Sequence, residues 1–329
     1  MHRIVLVCLS AMACANITHA TEWQLQHINT PARVTALQTV DGHVRVNAGG
    51  LWYRIALTGD KPLLQFIDAP ADIEQADGAL PNGRVAVGTH DIARAWLAQP
   101  TNRYDHNILG DSMQAGSLVI ETRDGKRQEV KLDDDAVFED LEPRLTDLNG
   151  NGHDAVIVVK SYLKRGSALA VIAERRGQYQ IVAETPPLGA PRRWLDPAGI
   201  ADFTGDGKPD IALVRQPHVD GTLELWSMAG NALRKSAEFP DVTNHVAGTR
   251  AIDMAAAADL DGDNIADLAV PSLDRNRLRI ISFTPQPREI ASVPLPAKAQ
   301  TNIGVMQAGM KPIVVLGLAD GSLVMIDRP

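Results

Sequence analysis

Three stretches of this chain space their oxygen-bearing side chains as a hard cation needs them. The first offers Asp147, Asn149 and Asn151 with the His153 carbonyl. The second offers Asp202, Thr204, Asp206 and Asp210 with the Lys208 carbonyl. The third offers Asp259, Asp261, Asp263 and Asp267 with the Ile265 carbonyl. Calcium takes roughly six to eight oxygen ligands at about 2.3–2.6 Å. A tight loop that turns alternate side chains, one carbonyl and a closing carboxylate inward can wrap a single ion. The bend falls on Gly152 and Gly207, and on Asn264 in the third loop; glycine, and asparagine more than most residues, tolerates the left-handed backbone of a sharp turn. In the first loop Ala155 stands where Asp210 and Asp267 stand in the others, and Asp154 comes one place early. That loop has the fewest formal charges and is expected to bind most weakly. An EF-hand is excluded, because it needs a glutamate closing the loop and helices on both sides. Here Val158, Leu213 and Val270 hold that place, each inside an apolar run. The competing reading is a metal-free turn held by side-chain-to-backbone bonds.

A loop grips an ion only if something rigid holds its ends. Each Asp-rich loop runs straight into an apolar strand, and the three loops start 55 and 57 residues apart. Short apolar or alternating runs recur along the chain, split by Gly, Pro, Asn and Asp, and no long segment carries a clean 3.6-residue period. Asp124-Gly125, Asp220-Gly221 and Asp320-Gly321 mark tight hairpins. About fifty residues with four short strands is the size of one propeller blade. The expected fold is therefore all-β, a propeller of about six blades of four strands. Blades are expected at Val34–Ile67, at Arg84–Leu132, on the three loop-bearing repeats, and at Thr301–Ile326. The last is one strand short, and Glu22–His27 is expected to supply the missing strand and close the ring, removing exposed sheet edges. A seventh blade near Asp68–Asp111 is the alternative.

The first twenty residues stand apart. Met1-His2-Arg3 is basic, Ile4–Ala15 is apolar but short, and Thr18-His19-Ala20 ends in small residues. This reads as a signal peptide cleaved after Ala20, leaving residues 21–329 as one domain in the periplasm or secreted. An uncleaved anchor and lipidation at Cys14 are the alternatives. Both cysteines, Cys8 and Cys14, fall in this segment, so the mature chain would have no disulfide and no thiol chemistry. No later apolar run is long enough for a transmembrane helix. The net charge of −8 repels phosphate backbones and argues against nucleic acid as a partner.

The repeated loop followed by an apolar strand resembles the FG-GAP/VCBS repeat of integrin α-subunit propellers and many bacterial exported proteins. The resemblance is strongest over residues 142–283. It implies a β-propeller with structural calcium at blade-edge loops, on up to three sites here. The Phe-Gly and Gly-Ala-Pro signatures that name the repeat are not clear in this chain. The family spans adhesion proteins and enzyme-attached domains, so it speaks to fold more than to function.

Outside the loops the densest polar cluster is Arg103-Tyr104-Asp105-His106, read as a structural loop, with ligand contact or acid/base catalysis as alternatives. Neighbours on an extended chain point opposite ways, which argues against Asp105 and His106 facing one substrate. His218 and His245 read as turn residues, and Trp96 and Trp226 as packing. The acidic residues Asp133, Asp134, Asp135, Glu139, Asp140 and Glu142 read as a solvated face. No nucleophile elbow, phosphate loop, dinucleotide fingerprint or zinc-protease motif is present. The expected function is a non-catalytic, calcium-stabilised binding or scaffolding module whose partner is a protein or glycan of the cell envelope. The alternative is a polymer-acting hydrolase or lyase with its site at the propeller mouth.

Overall fold

The computed structural model describes residues 23–328 apart from 41, 60, 71–75 and 310. The proposed signal peptide, its cleavage point, Cys8 and Cys14 lie outside the described residues. Within them the chain is all-β, with no helical residue.

The first strand, β1 (Gln24–Ile28), leaves the sequence-adjacent strands and pairs elsewhere. The next four, β2 (Val34–Val40), β3 (His43–Ala48), β4 (Leu51–Thr58) and β5 (Lys61–Ile67), form an antiparallel meander. Then come β6 (Ala86–Val87), β7 (Ile92–Thr101), β8 (Gln114–Thr122) and β9 (Arg127–Lys131). A short strand, β10 (Ala136–Phe138), bridges this group to β11 (Arg144–Thr146), β12 (Ala155–Tyr162), β13 (Gly166–Arg175) and β14 (Gln178–Glu184). Because β10 pairs with both β8 and β12, these nine strands are one continuous hydrogen-bonded sheet. Two further four-stranded sheets follow in simple order. One is β15 (Leu195–Ala201), β16 (Asp210–Arg215), β17 (Thr222–Ala229) and β18 (Ala232–Phe239). The other is β19 (Ala256–Ala258), β20 (Asp267–Pro271), β21 (Arg277–Ser282) and β22 (Arg288–Pro294). The last sheet holds β23 (Ala299–Ala308), β24 (Lys311–Leu318) and β25 (Leu323–Asp327), completed by β1. Gln24 faces Asp327 and Ile28 faces Leu323, so the two ends of the chain close one sheet, as the sequence predicts. Residues 76–111 supply β6 and β7 and no separate sheet among the described residues.

Burial explains the strand compositions. The second strands of the loop-bearing repeats, β12, β16 and β20, are buried on both faces and read as continuous Val, Ile, Leu and Ala runs. The outer strands β9 and β18 alternate exposed and half-buried residues and carry Arg, Lys and Glu, which blunt a free edge. Most apolar clusters lie between successive four-strand groups. Ile157 and Leu169 pack with Ile211 and Leu213, Phe203 and Val214 with Leu268 and Ile281, and Val44 and Val46 with Val315 and Met325. Another joins the β6–β9 group to β12–β14, and another joins β20–β22 to β23–β25. Among the described residues no cluster joins the β2–β5 sheet to the β6–β9 group. Accordingly β3 buries one face only, in strict alternation. The first strands converge: β2 touches β23, β23 touches β19, β19 touches β15, and β11 touches β6. This is the packing of a propeller, with radial sheets whose inner strands share an axis.

Candidate metal loops

Each Asp-rich loop spans the connection between the first and second strand of its repeat: β11 to β12, β15 to β16 and β19 to β20. Its leading aspartate organises the turn. Asp202 accepts from Gly205 N (2.7 Å), Asp206 N (3.1 Å) and Gly207 N (2.8 Å). Asp147 does the same with Asn149 N, Asn151 N and Gly152 N. Asp259 accepts from Gly262 N (2.7 Å) and Asn264 N (2.9 Å). The bend residues take the left-handed conformation, with φ of 81° at Gly152, 80° at Gly207 and 66° at Asn264. The fifth position then caps the seventh: Asn151, Asp206 and Asp263 accept from the backbone N–H of His153, Lys208 and Ile265.

The loops differ at the closing carboxylate. In the third, Asp267 is buried at the start of β20, and Asp259, Asp261 and Asp267 bring carboxylate oxygens within 4.8 Å of one another. Burial, with Asp261 and Asp263 beside it, pushes the Asp267 carboxyl up to about 7, although Leu260 N–H donates to it at 3.1 Å. In the second loop Asp210 occupies the matching place. Burial raises its pKa, while hydroxyl donors work the other way: Ser227 on one oxygen and Thr204, at 3.1 Å, on the other. In the first loop the carboxylate is turned out of the loop altogether. Asp154 is buried against His90, and Asp91 of the same neighbouring segment receives Asp154 N at 2.7 Å and lies 3.0 Å from His153 Nδ1. The oxygen-only donors of the third loop fit a hard divalent cation. In the second the closing carboxylate is already engaged by the Ser227 and Thr204 hydroxyls, and the first has no closing carboxylate.

The Arg103–His106 cluster is spent on structural bonds. Arg103 donates to the Ala136 and Asp133 carbonyls, and Tyr104 Oη accepts from Arg192 N at 2.7 Å. Asp105 pairs with Arg192 at 2.9 Å on the surface, whereas His106 turns inward to Glu139 at 2.7 Å. The two side chains diverge, although the backbone here is a tight turn, with His106 N donating to the Tyr104 carbonyl at 3.0 Å, and not the extended chain expected from the sequence. The acidic run is not one solvated face. Asp133, Asp134 and Asp135 are exposed, but Glu139 and Asp140 are buried. Glu139 takes His106 and, at 2.5 Å, Ser161 Oγ; Asp140 takes Arg144 at 2.7 Å and Val159 N at 3.0 Å. Charged residues whose partners meet them in the interior can be buried despite their charge. Trp96 and Trp226 are buried.

Sequence reasoning missed one meeting. His218 Nε2 lies 3.0 Å from His245 Nδ1, with Trp194 stacked on His218 at 6.1 Å and edge-on to His245 at 4.9 Å. Burial lowers both imidazoles, His218 to about 4 and His245 to about 3. The two sit in separate inter-strand loops, so no linear spacing announces the pair.

Residues 202–270 match the family described as FG-GAP-like repeat, a span that holds the second and third loops and leaves out the first. No curated protein matches the chain in sequence. Among solved structures, a rhamnogalacturonan lyase, YesW, aligns with a TM-score of 0.44 and 12% identity over 89% of this chain. The chain spans 66% of that lyase's length, just under two thirds. The BBS1N chain of a complex with ARL6DN aligns with a TM-score of 0.44 and 11% identity, over 92% of this chain and 79% of that one. This chain carries FG-GAP-like repeat sequence on a propeller-type, all-β fold.

Proposed function

We propose that the protein is a calcium-stabilised, non-catalytic propeller of six blades, exported from the cytoplasm and serving as a binding or scaffolding module in the cell envelope. The observation that carries this reading is the third loop, where Asp259, Asp261 and Asp267 crowd their oxygens within 4.8 Å. Carboxylates that close repel one another unless protons or a cation neutralise them. Asp259, Asp261, Asp263 and Asp267 with the Ile265 carbonyl would hold the ion, which would supply charge neutralisation and fix the loop ahead of β20. Asp202, Thr204, Asp206 and Asp210 with the Lys208 carbonyl form the second, weaker set, and Asp147, Asn149 and Asn151 with the His153 carbonyl the weakest. The engagement of Arg103, Tyr104, Asp105 and His106 in structural bonds supports the non-catalytic part. The test is thermal unfolding of the mature chain in calcium and in chelator. A higher midpoint in calcium is expected; identical midpoints would remove the metal from this reading.

A further inference from the structure

A second polar site lies where the inner strands converge. Cavities of about 520 and 310 Å³ share Arg144, Ile252 and Asp253 as walls. The larger is also walled by Arg84, Glu142 and Asn302. Its volume falls within the roughly 300–1,000 Å³ usual for small-molecule pockets. These residues come from separate stretches of chain: Arg84 ahead of β6, Glu142 and Arg144 at β11, Asp253 ahead of β19, and Asn302 on β23.

They form a connected lattice of opposite charges. Arg84 Nη1 donates to Glu142 at 3.2 Å and to Asp253 at 3.3 Å. Asn302 Nδ2 donates to Asp253 at 3.3 Å, and Arg144 Nη1 donates to Asp140 at 2.7 Å. Of these wall residues Arg144, which lines both cavities, also has a buried Nη2 with no hydrogen-bond partner among the described residues. Buried polar atoms are nearly always satisfied, so Arg144 is the wall residue with hydrogen-bonding capacity left over.

The charges decide what that guest is. A cation entering the cavity meets two guanidiniums, and an anion meets Glu142, Asp253 and Asp140. Arg84 is ion-paired with both Glu142 and Asp253, and Arg144 with Asp140, so no charged wall residue is without an opposite charge for an ion of either sign to replace. A neutral group that both donates and accepts gains from all of them, and a hydroxyl does both. Ile252, Ile303 and Val40 add apolar wall suited to C–H faces. Several hydroxyls on a small ring with C–H faces describe a sugar. We propose that this axial cavity binds a neutral saccharide of one or two units, whose hydroxyls donate to Glu142 and Asp253 and accept from Arg84 and Arg144. The inference rests on the binding-module reading above but not on its calcium part.

The mature full chain, with and without calcium, is applied to an array of neutral oligosaccharides (cello-, xylo-, manno-, malto-, galacto- and N-acetylchito-series) beside oligogalacturonates and deacetylated chitosan oligomers. Binding to at least one neutral series, in preference to the acidic and cationic ones, is expected. Asp253→Ala should weaken it at least tenfold. Gln38→Trp, which fills the cavity wall from β2 without altering the charge lattice, should weaken it equally at an unchanged unfolding midpoint. No neutral ligand, preference for a charged series, or full binding by Gln38→Trp would each overturn the assignment. Sugar binding without a calcium effect on melting removes only the calcium reading, and a calcium effect without sugar binding removes only this one. Cleavage of the bound sugar overturns the non-catalytic reading and leaves the saccharide class standing.

Discussion

His90 and Asp154 are joined twice across the boundary between neighbouring strand groups: His90 N donates to Asp154 Oδ2 at 3.0 Å, and His90 Nδ1 lies 2.9 Å from Oδ1. Along a strand, moving a residue by one place turns its side chain to the other face. Asp154 stands one place ahead of the position held by Asp210 and Asp267, so it points into the next group instead of into its own loop. Here the acidic residue clasps the neighbouring strand group instead of closing its own loop. Asp154→Ala should therefore cost about 1–2 kcal/mol by removing two hydrogen bonds to His90, whose exposed donors water can then take. Its calcium-induced stabilisation should equal that of the parent chain, as read by urea unfolding in calcium and in chelator. Loss of the calcium effect in this variant would show that the first loop does use Asp154.

The third loop should carry most of the calcium response. An ion held at a hundred times its dissociation constant stabilises by about 2.7 kcal/mol. Asp259→Ala should abolish most of the calcium-dependent rise in melting temperature, while Asp147→Ala should leave most of it in place. Calorimetric titration of both variants checks the order. Equal losses would place the loops on a par.

Acid should weaken the fold through the His218–His245 pair. Both imidazoles are held below their ordinary value of 6.5 by burial; His245 also lies against His218, and His218 has the charges of His106 and Arg275 nearby. A depressed folded-state pKa means that the unfolded chain binds the proton first, so stability is full above about 6.5 and falls as pH drops toward the folded values. For His245, the more deeply buried of the two, the loss by pH 4.5 is roughly 2–3 kcal/mol. His245→Gln should start less stable at pH 7 and show a shallower decline to pH 4.5. Parallel curves for the variant and the parent chain would reject the pair as the source.

Closure by β1 should matter out of proportion to its length. Leu25 packs on the core of the last sheet, and Ile28 is buried on the core shared with β2–β5. Removing residues through Ile28 should lower the unfolding midpoint and expose β25 as a free edge, which invites self-association. Light scattering should report oligomers, and a peptide of residues 23–28 added in excess should suppress them. A monodisperse truncated chain would mean that β1 is dispensable.

The Asp loops were legible in the sequence because ligand spacing, bend residue and following strand are all local, within a dozen residues. The blade limits Val34–Ile67 and Arg84–Leu132 were legible for the same reason, since hairpin turns and alternation set them strand by strand. Pairing of β1 with β25 followed from a count that came up one strand short. What could not be read was convergence. Arg84, Arg144, Asp253 and Asn302 lie scattered over some two thirds of the chain and meet only because inner strands share an axis. Glu139 and Asp140 sit in an acidic run that looks solvated, and partners more distant in sequence, His106 and Ser161 for the first and the Val159 N–H for the second, explain their burial together with the nearby Arg144.

The union of Gln24 with Asp327 has a consequence for the order of folding. Every other sheet draws its strands from one stretch of the chain, but β1 has no neighbour in sequence to pair with and must wait for β25. Among the described residues the last sheet is thus the one long-range closure in the ring, and the slow loop search it requires falls after the other sheets can already have formed.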